Sequence, residues 1–120
     1  MAFPIPAPLK AQSRVHDLKE RLDWGEPALT IVDVRTRDAF NTSHISGAIS
    51  FPMNELVDSA LTSLELIRDI YIYSSTDEES AEAATQLRAA GYQNVSELRG
   101  GLAAWKAAGY AIEGNSAVVA

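Results

Sequence analysis

Two short apolar runs constrain this chain more than any other feature. They are Leu29-Thr30-Ile31-Val32-Asp33-Val34 and Ile70-Tyr71-Ile72-Tyr73. Nearly continuous β-branched and aromatic runs of this kind suit strands buried on both faces of a parallel sheet. Each is followed by a polar loop and a helical pattern. No hairpin signal such as Asn-Gly separates two strands. The alternation predicts right-handed β-α-β crossovers, with helices on both faces of the sheet.

The remaining elements follow in order. Residues 1–10 read as an extended arm stiffened by Pro4, Pro6 and Pro8. Ser13 can cap a helix over Arg14–Leu22, with Val15, Leu18 and Leu22 on one face, and Trp24-Gly25-Glu26-Pro27 stops it. A short helix is expected around Arg37–Asn41, a turn over Ser43-His44-Ile45-Ser46-Gly47, and a short strand over Ala48–Phe51. Met53, Leu56, Val57, Ala60, Leu61 and Leu64 form one helical stripe, predicting a helix over Met53–Glu65. Ser80–Ala90 reads as a helix closed by Gly91, with Ala84 and Leu87 inward. Val95–Leu98 is a further strand. Gly100-Gly101 opens a last helix through Trp105 to Ala108, ended by Gly109. The domain is expected over residues 11–113, with a loose tail over 114–120.

Composition excludes several chemistries. The chain contains no cysteine, which removes disulfides, thiolate zinc ligands and thiol nucleophiles together. The only histidines, His16 and His44, are far apart in sequence, so no metal site and no cofactor are expected. The net charge is −6 with no Lys/Arg cluster, which argues against nucleic acid. The proline-broken N-terminus lacks the features of a signal peptide, and no run is long enough to span a bilayer. A cytoplasmic protein, or one domain of a longer one, is expected, with no membrane partner.

The stretch that carries the functional question is Ser74-Ser75-Thr76-Asp77-Glu78-Glu79, between the second apolar run and its helix. In open parallel sheets, ligands bind beyond the carboxyl ends of the strands. Backbone N–H groups and the helix dipole make such a loop a ready anion site. Yet three consecutive acids occupy this one.

Several motifs together resemble the rhodanese-like domain family. Asp33-Val34-Arg35, Asp38-Ala39-Phe40, His44-Ile45-Ser46-Gly47-Ala48-Ile49 and Phe51-Pro52 resemble its N-terminal signature. Tyr73-Ser74 through Ser80-Ala81, Ala89-Gly91-Tyr92-Asn94-Val95, Leu98-Arg99-Gly100-Gly101 and Trp105 resemble its C-terminal half. The resemblance implies a three-layer α/β/α domain with a central parallel sheet of about five strands. It also implies, for active members, a persulfide-carrying cysteine after the central strand. The rest of the loop then offers N–H groups, often with an arginine, to anions such as thiosulfate. In the similar phosphatase branch the loop is one residue longer. Here the loop keeps the sulfurtransferase length, but Ser74 stands at the cysteine position. Glu79 stands where active loops often carry a basic residue.

A serine hydroxyl has no persulfide chemistry, whereas a thiol ionises near about 8.5. Asp77, Glu78 and Glu79 would also repel an anionic substrate. Ser74 as a hydrolytic nucleophile needs a nearby base, and His16 and His44 are the only histidine candidates. His44 matches a family position expected to fix the turn, and His16 is expected on a solvated face. Both Ser75-Thr76-Asp77-Glu78 and Thr76-Asp77-Glu78-Glu79 fit a capping box. Acids in a first helical turn are favoured by the dipole, by about 0.3–1 kcal/mol each when exposed. The loop is therefore expected to cap its own helix.

Asp33 and Arg35 end the first strand, and Arg35 is expected to pair with Asp38 as a structural ion pair, with a catalytic pair as the alternative. Arg99 is the best candidate partner of Glu78 or Glu79, with a simple solvated side chain as the alternative. Gly100 and Gly101 allow close backbone approach near the loop, and Leu102 and Trp105 pack the last helix. The sequence thus suggests an inactive rhodanese-like module that offers its acidic loop to a protein with a basic patch. The competing class is an enzyme with residual sulfur transfer through an external thiol, or hydrolysis at Ser74.

Overall fold

The computed structural model describes residues 9–25 and 28–115. Most of the expected arm, Glu26-Pro27 in the first helix stop, and the end of the tail lie outside the described residues. In chain order, the elements begin with β1 (Gln12–Ser13), α1 (Val15–Asp23), β2 (Leu29–Asp33) and α2 (Arg37–Thr42). β3 (His44–Ile45), β4 (Ile49–Ser50), a 3-10 turn (Met53–Glu55) and α3 (Leu56–Ser63) follow. Then come β5 (Asp69–Tyr73), α4 (Asp77–Ala89), β6 (Val95–Leu98), α5 (Gly101–Ala107) and β7 (Ile112–Glu113).

Five strands form one parallel sheet in the order β1-β6-β5-β2-β4. Side chains alternate across it, as strand geometry requires. Val32, Ile70, Ile72 and Val95 face α3 and α4, where Leu56, Ala60, Ala83, Ala84 and Leu87 complete one core cluster. Ile31, Tyr71, Tyr73 and Leu98 face the other way, onto Leu18 of α1 and Trp105 of α5. Both apolar runs are therefore buried on two faces, which is why they read as continuous rather than alternating. Each fully buried aliphatic side chain of this kind contributes about 1.5–3 kcal/mol.

Several local expectations are corrected. Ser13 does not cap α1. It lies in β1, buried, with its hydroxyl hydrogen-bonded to Ser96 across the β1–β6 pair, and Arg14 is the cap residue. Pairing with β6 takes the serine into the sheet, and Asp17 supplies the cap by accepting the Arg14 N–H at 3.0 Å. The helix expected over Met53–Glu65 begins as a 3-10 turn and ends at Ser63. Leu61 is exposed rather than part of the stripe, because the helix is too short to bury its whole apolar arc. α4 begins at Asp77, three residues before the expected start, because Thr76 caps it.

β3 and β7 pair antiparallel in a ribbon separate from the main sheet. His44 stacks on Phe40 with ring centroids 3.7 Å apart, and its Nδ1 lies 2.7 Å from the Phe40 carbonyl. The ribbon is tied by the Gly47 N–H, which donates to Glu113 Oε1 at 2.7 Å. Gly47 takes a positive φ of 87°, which glycine adopts without a steric penalty.

The parallel sheet gathers the ends of β2, β5 and β6 at one edge, with Asp33 in register with Tyr73. From there α2 leaves toward the α1/α5 face, where Phe40 packs, while α4 leaves toward the α3 face. Adjacent strands whose connections depart to opposite faces open a crevice between them. Arg35 and Ser74 stand at its mouth.

The ribbon carries a pH prediction. The Gly47 N–H, followed by the Ser46 side chain, holds the Glu113 carboxyl below its ordinary value of 4.5. A carboxyl lowered in the folded state contributes above its unfolded value and loses that contribution as pH falls through the folded value. Acidification below 4.5 is expected to loosen the β3–β7 ribbon selectively. Amide exchange at Gly47 and Ile45 as a function of pH checks this, and Glu113→Gln should abolish the acid transition.

Candidate functional site

The loop after β5 is closed upon itself. Ser74 is 4% exposed, and its N–H donates to Ser80 Oγ at 2.9 Å. The Ser80 hydroxyl in turn donates to the Thr76 carbonyl at 3.1 Å. Thr76 Oγ1 accepts the Glu79 N–H at 3.1 Å, which is the N-cap bond of α4. The cap is therefore at Thr76, the second of the two capping patterns in the sequence. The Glu79 carboxylate reaches back over the loop. Its Oε2 accepts from Ser74 Oγ at 3.1 Å, and its Oε1 from Thr76 Oγ1 at 3.3 Å.

Asp77 serves a different neighbour. Its Oδ1 accepts the Gly100 N–H at 2.8 Å, and its Oδ2 lies 3.4 Å from Arg99 Nη2. Arg99 thus pairs with Asp77, not with the expected Glu78 or Glu79. Asp77 is the first residue of α4, and it faces the β6–α5 turn that carries Arg99. Gly101 sits with φ +50°, and a Cβ there would lie 2.9 Å from the Ser74 carbonyl. The close approach of this turn to the loop therefore needs a glycine.

On the β2 side, Asp33 is fully buried. Its Oδ1 accepts from the Arg35 backbone N–H at 2.9 Å, and its Oδ2 from Arg35 Nη2 at 2.6 Å. Arg35 Nε bridges both oxygens at 3.1 Å, and Nη2 also donates to the Ser43 carbonyl at 2.6 Å. The expected Arg35–Asp38 pair is corrected. Asp33 and Arg35 are two residues apart at an extended strand end, so their side chains leave on the same side, whereas Asp38 lies exposed on α2. Burial opposes the Arg35 charge, but bonding to Asp33 and its charge outweigh this and hold the guanidinium above its ordinary value. Burial, reinforced by the Asp33 charge, pushes the Tyr73 phenol well above its ordinary value. The Tyr73 hydroxyl accepts the Ile45 N–H at 3.1 Å and so ties the ribbon to the same cluster.

Two clefts flank the loop. One, of about 280 Å³, is lined by Arg35, Ser74 and Ser75 on one side and Gly100, Leu102, Ala103 and Lys106 on the other. The second, of about 350 Å³, lies between Ser75 and Glu79 and the segments Val34–Thr36 and Pro52–Asn54, with Ala39 also on its wall. Arg35 and Ser75 belong to both. Sequence reasoning missed Lys106, Met53 and Ala39 as cleft residues. Lys106 shares the i, i+3, i+4 face of α5 with Leu102 and Ala103, but the sequence does not show that this face borders a cleft.

The acids divide unequally. Only Glu79 lines a cleft, Asp77 is taken up by the β6–α5 turn, and Glu78 is exposed with no ion pair among the described residues. Neither histidine lines either cleft. His16 is exposed with Nε2 3.8 Å from Glu20, and His44 Nε2 lies 3.9 Å from Glu113. The sequence candidates for a serine–histidine pair are therefore not brought together. Among the described residues no group of three or more His, Asp or Glu is placed to hold a metal, and no helix is long and apolar enough to cross a membrane.

A parallel sheet with helices on both faces and a strand–loop–helix at its central strand define a three-layer α/β/α domain of the open-sheet class. The chain belongs to the rhodanese-like domain family, whose model matches residues 14–108. The rhodanese-like domain of the Alr3790 protein from Anabaena sp. is 52% identical, with a TM-score of 0.89, covering 93% of this chain and 85% of that one. A protein named sulfurtransferase from Allochromatium vinosum is 34% identical, over 73% of this chain and 80% of the relative. The probable adenylyltransferase/sulfurtransferase MoeZ of Mycobacterium tuberculosis is 34% identical over 74% of this chain, which spans only 23% of MoeZ. The chain likewise spans 46% of the Synechocystis protein slr1261, to which it is 38% identical over 70% of its own length. Sulfurtransferases are thus among its homologues, and this chain contains no cysteine.

The Asp33–Arg35 pair gives a stability prediction. Removing one partner of a buried pair strands the other and costs about 3–5 kcal/mol. Asp33→Ala is expected to lower the unfolding free energy by about that amount, read by urea denaturation. Asp38→Ala, on the exposed helix, is expected to shift it by less than about 0.5 kcal/mol.

Proposed function

We propose that this chain is a catalytically inactive rhodanese-like domain that serves as a protein-binding module. The observation that carries the reading is the bond from Ser74 Oγ to Glu79 Oε2 at 3.1 Å. By the motif resemblance Ser74 stands at the cysteine position, so an oxygen would stand where sulfur transfer needs sulfur, with a carboxylate beside it. A serine hydroxyl cannot take up and release sulfane sulfur, because it forms no accessible persulfide. Of the backbone donors around the loop, the Ser74, Glu79 and Gly100 N–H groups are already engaged by Ser80, Thr76 and Asp77. What remains exposed is a pair of shaped clefts on a rigid sheet end, suited to binding.

The enzyme alternative has less support. Hydrolysis at Ser74 would leave Glu79 as the base in contact with it, and a carboxylate is a weaker acceptor for a serine proton than an imidazole. No imidazole stands in the clefts to do better.

The test is a thiosulfate:cyanide assay on the purified protein. Turnover is expected at background and equal in wild type and Ser74→Ala; clear turnover above that control would overturn inactivity. Ser74→Cys alone is expected to stay near background, because the Glu79 carboxylate raises the thiol pKa and repels the anion. Ser74→Cys combined with Glu79→Gln is expected to gain activity over the single variant. Equal activity in the two would mean that the carboxylate is not the obstacle.

A further inference from the structure

The two clefts share Arg35 and Ser75 as a common wall and lie on either side of the loop, so that together they make a divided groove, with the loop as its ridge, at the carboxyl end of the sheet. Its charges are arranged in sequence. Lys106 stands on the α5 side, exposed, with no ion pair among the described residues. Arg35, in the middle, has its charge matched by Asp33 at 2.6 Å. Glu79 stands on the α4 side, and its carboxylate accepts from two neutral hydroxyls rather than from a cation. The groove therefore carries a cation without a counter-ion at one side and an anion without one at the other. They are held apart by the loop, and no ion pair joins them.

We infer that the groove docks an extended segment of a protein partner that carries charges of both signs. An acidic side chain of that segment sits toward Lys106 and a basic one toward Glu79, while its backbone crosses Ser75. This deepens the binding-module reading and rests on it. Charge complementarity sets the orientation of the segment, since the reversed polarity would face two like-charge contacts. The apolar walls, Leu102 and Ala103 on one side and Pro52 and Met53 on the other, accommodate the intervening side chains. The acidic-loop surface expected from sequence is thereby narrowed. Of the three acids, Glu79 alone faces the groove, and the partner needs an acid as well as a base.

The experiment pans a displayed library of random peptides against the full chain, and repeats the panning against Lys106→Glu. Lys106 is exposed and makes no ion pair among the described residues, so its substitution leaves the fold intact, as the amide spectrum will report. Wild type is expected to enrich peptides carrying one acidic and one basic residue at a fixed spacing. Lys106→Glu is expected to weaken those peptides about tenfold and to select a base in place of the acid. Glu79→Gln is expected to relax the choice at the basic position only. Enriched peptides indifferent to Lys106→Glu, with amide shifts away from Ser75 and Leu102–Lys106, would overturn the groove while leaving a binding module elsewhere. A library that enriches nothing would overturn both. If sodium thiosulfate or phosphate alone saturates shifts at Leu102–Lys106 and peptides do not compete, the groove is an anion site and peptide docking is overturned.

Discussion

The functional end of this domain depends on one buried carboxylate. Asp33 ends β2 with no exposure, and a lone carboxylate there would be strongly destabilising. Arg35 removes the problem by bonding through its backbone N–H, Nε and Nη2. The same guanidinium then holds the Ser43 carbonyl, which fixes the end of α2 and the start of β3. Tyr73, packed beside Asp33, receives the Ile45 N–H. One ion pair thus links β2, the ribbon and β5. Such pairs add little net stability compared with an apolar isostere. Here its structural consequence is that the β2 loop and the β5 loop have a defined spacing, and that spacing is the groove.

The opposite wall is set by backbone proximity rather than charge. Gly101 places the β6–α5 turn against the Ser74 carbonyl, at a distance no Cβ tolerates. Asp77 then clasps that turn through the Gly100 N–H. α4 and α5 consequently start from a common junction, although they lie on opposite faces of the sheet. The loop between Tyr73 and Asp77 is thereby held between two fixed neighbours, the β6–α5 turn and the start of α4.

Much of this was legible in the sequence for an identifiable reason. The runs at Leu29–Val34 and Ile70–Tyr73 are apolar on both faces, so a parallel sheet followed from their pattern and from the helices between them. The alternating helices placed its crossovers. The Thr76–Glu79 cap was readable because capping is local. What escaped depended on tertiary choice. β1, β3 and β7 are two residues each, too short to show alternation, and exist because a neighbouring strand offers partners. Arg35 and Arg99 had several acids within reach, and only the direction of the chain at the strand ends selects Asp33 and Asp77. Lys106 could be assigned to the cleft only once α5 was packed by Trp105.

The loop's acids therefore have separate roles, and treating them as one surface misdescribes the site. Asp77 is structural, because it holds a backbone donor and an arginine at once. Glu78 is solvated. Glu79 stands at the boundary between structure and recognition: its oxygens bond two hydroxyls, yet each oxygen keeps a further lone pair for an incoming donor. The Glu79 oxygens meet two hydroxyls and no cation, whereas the Asp77 carboxylate faces the Arg99 guanidinium.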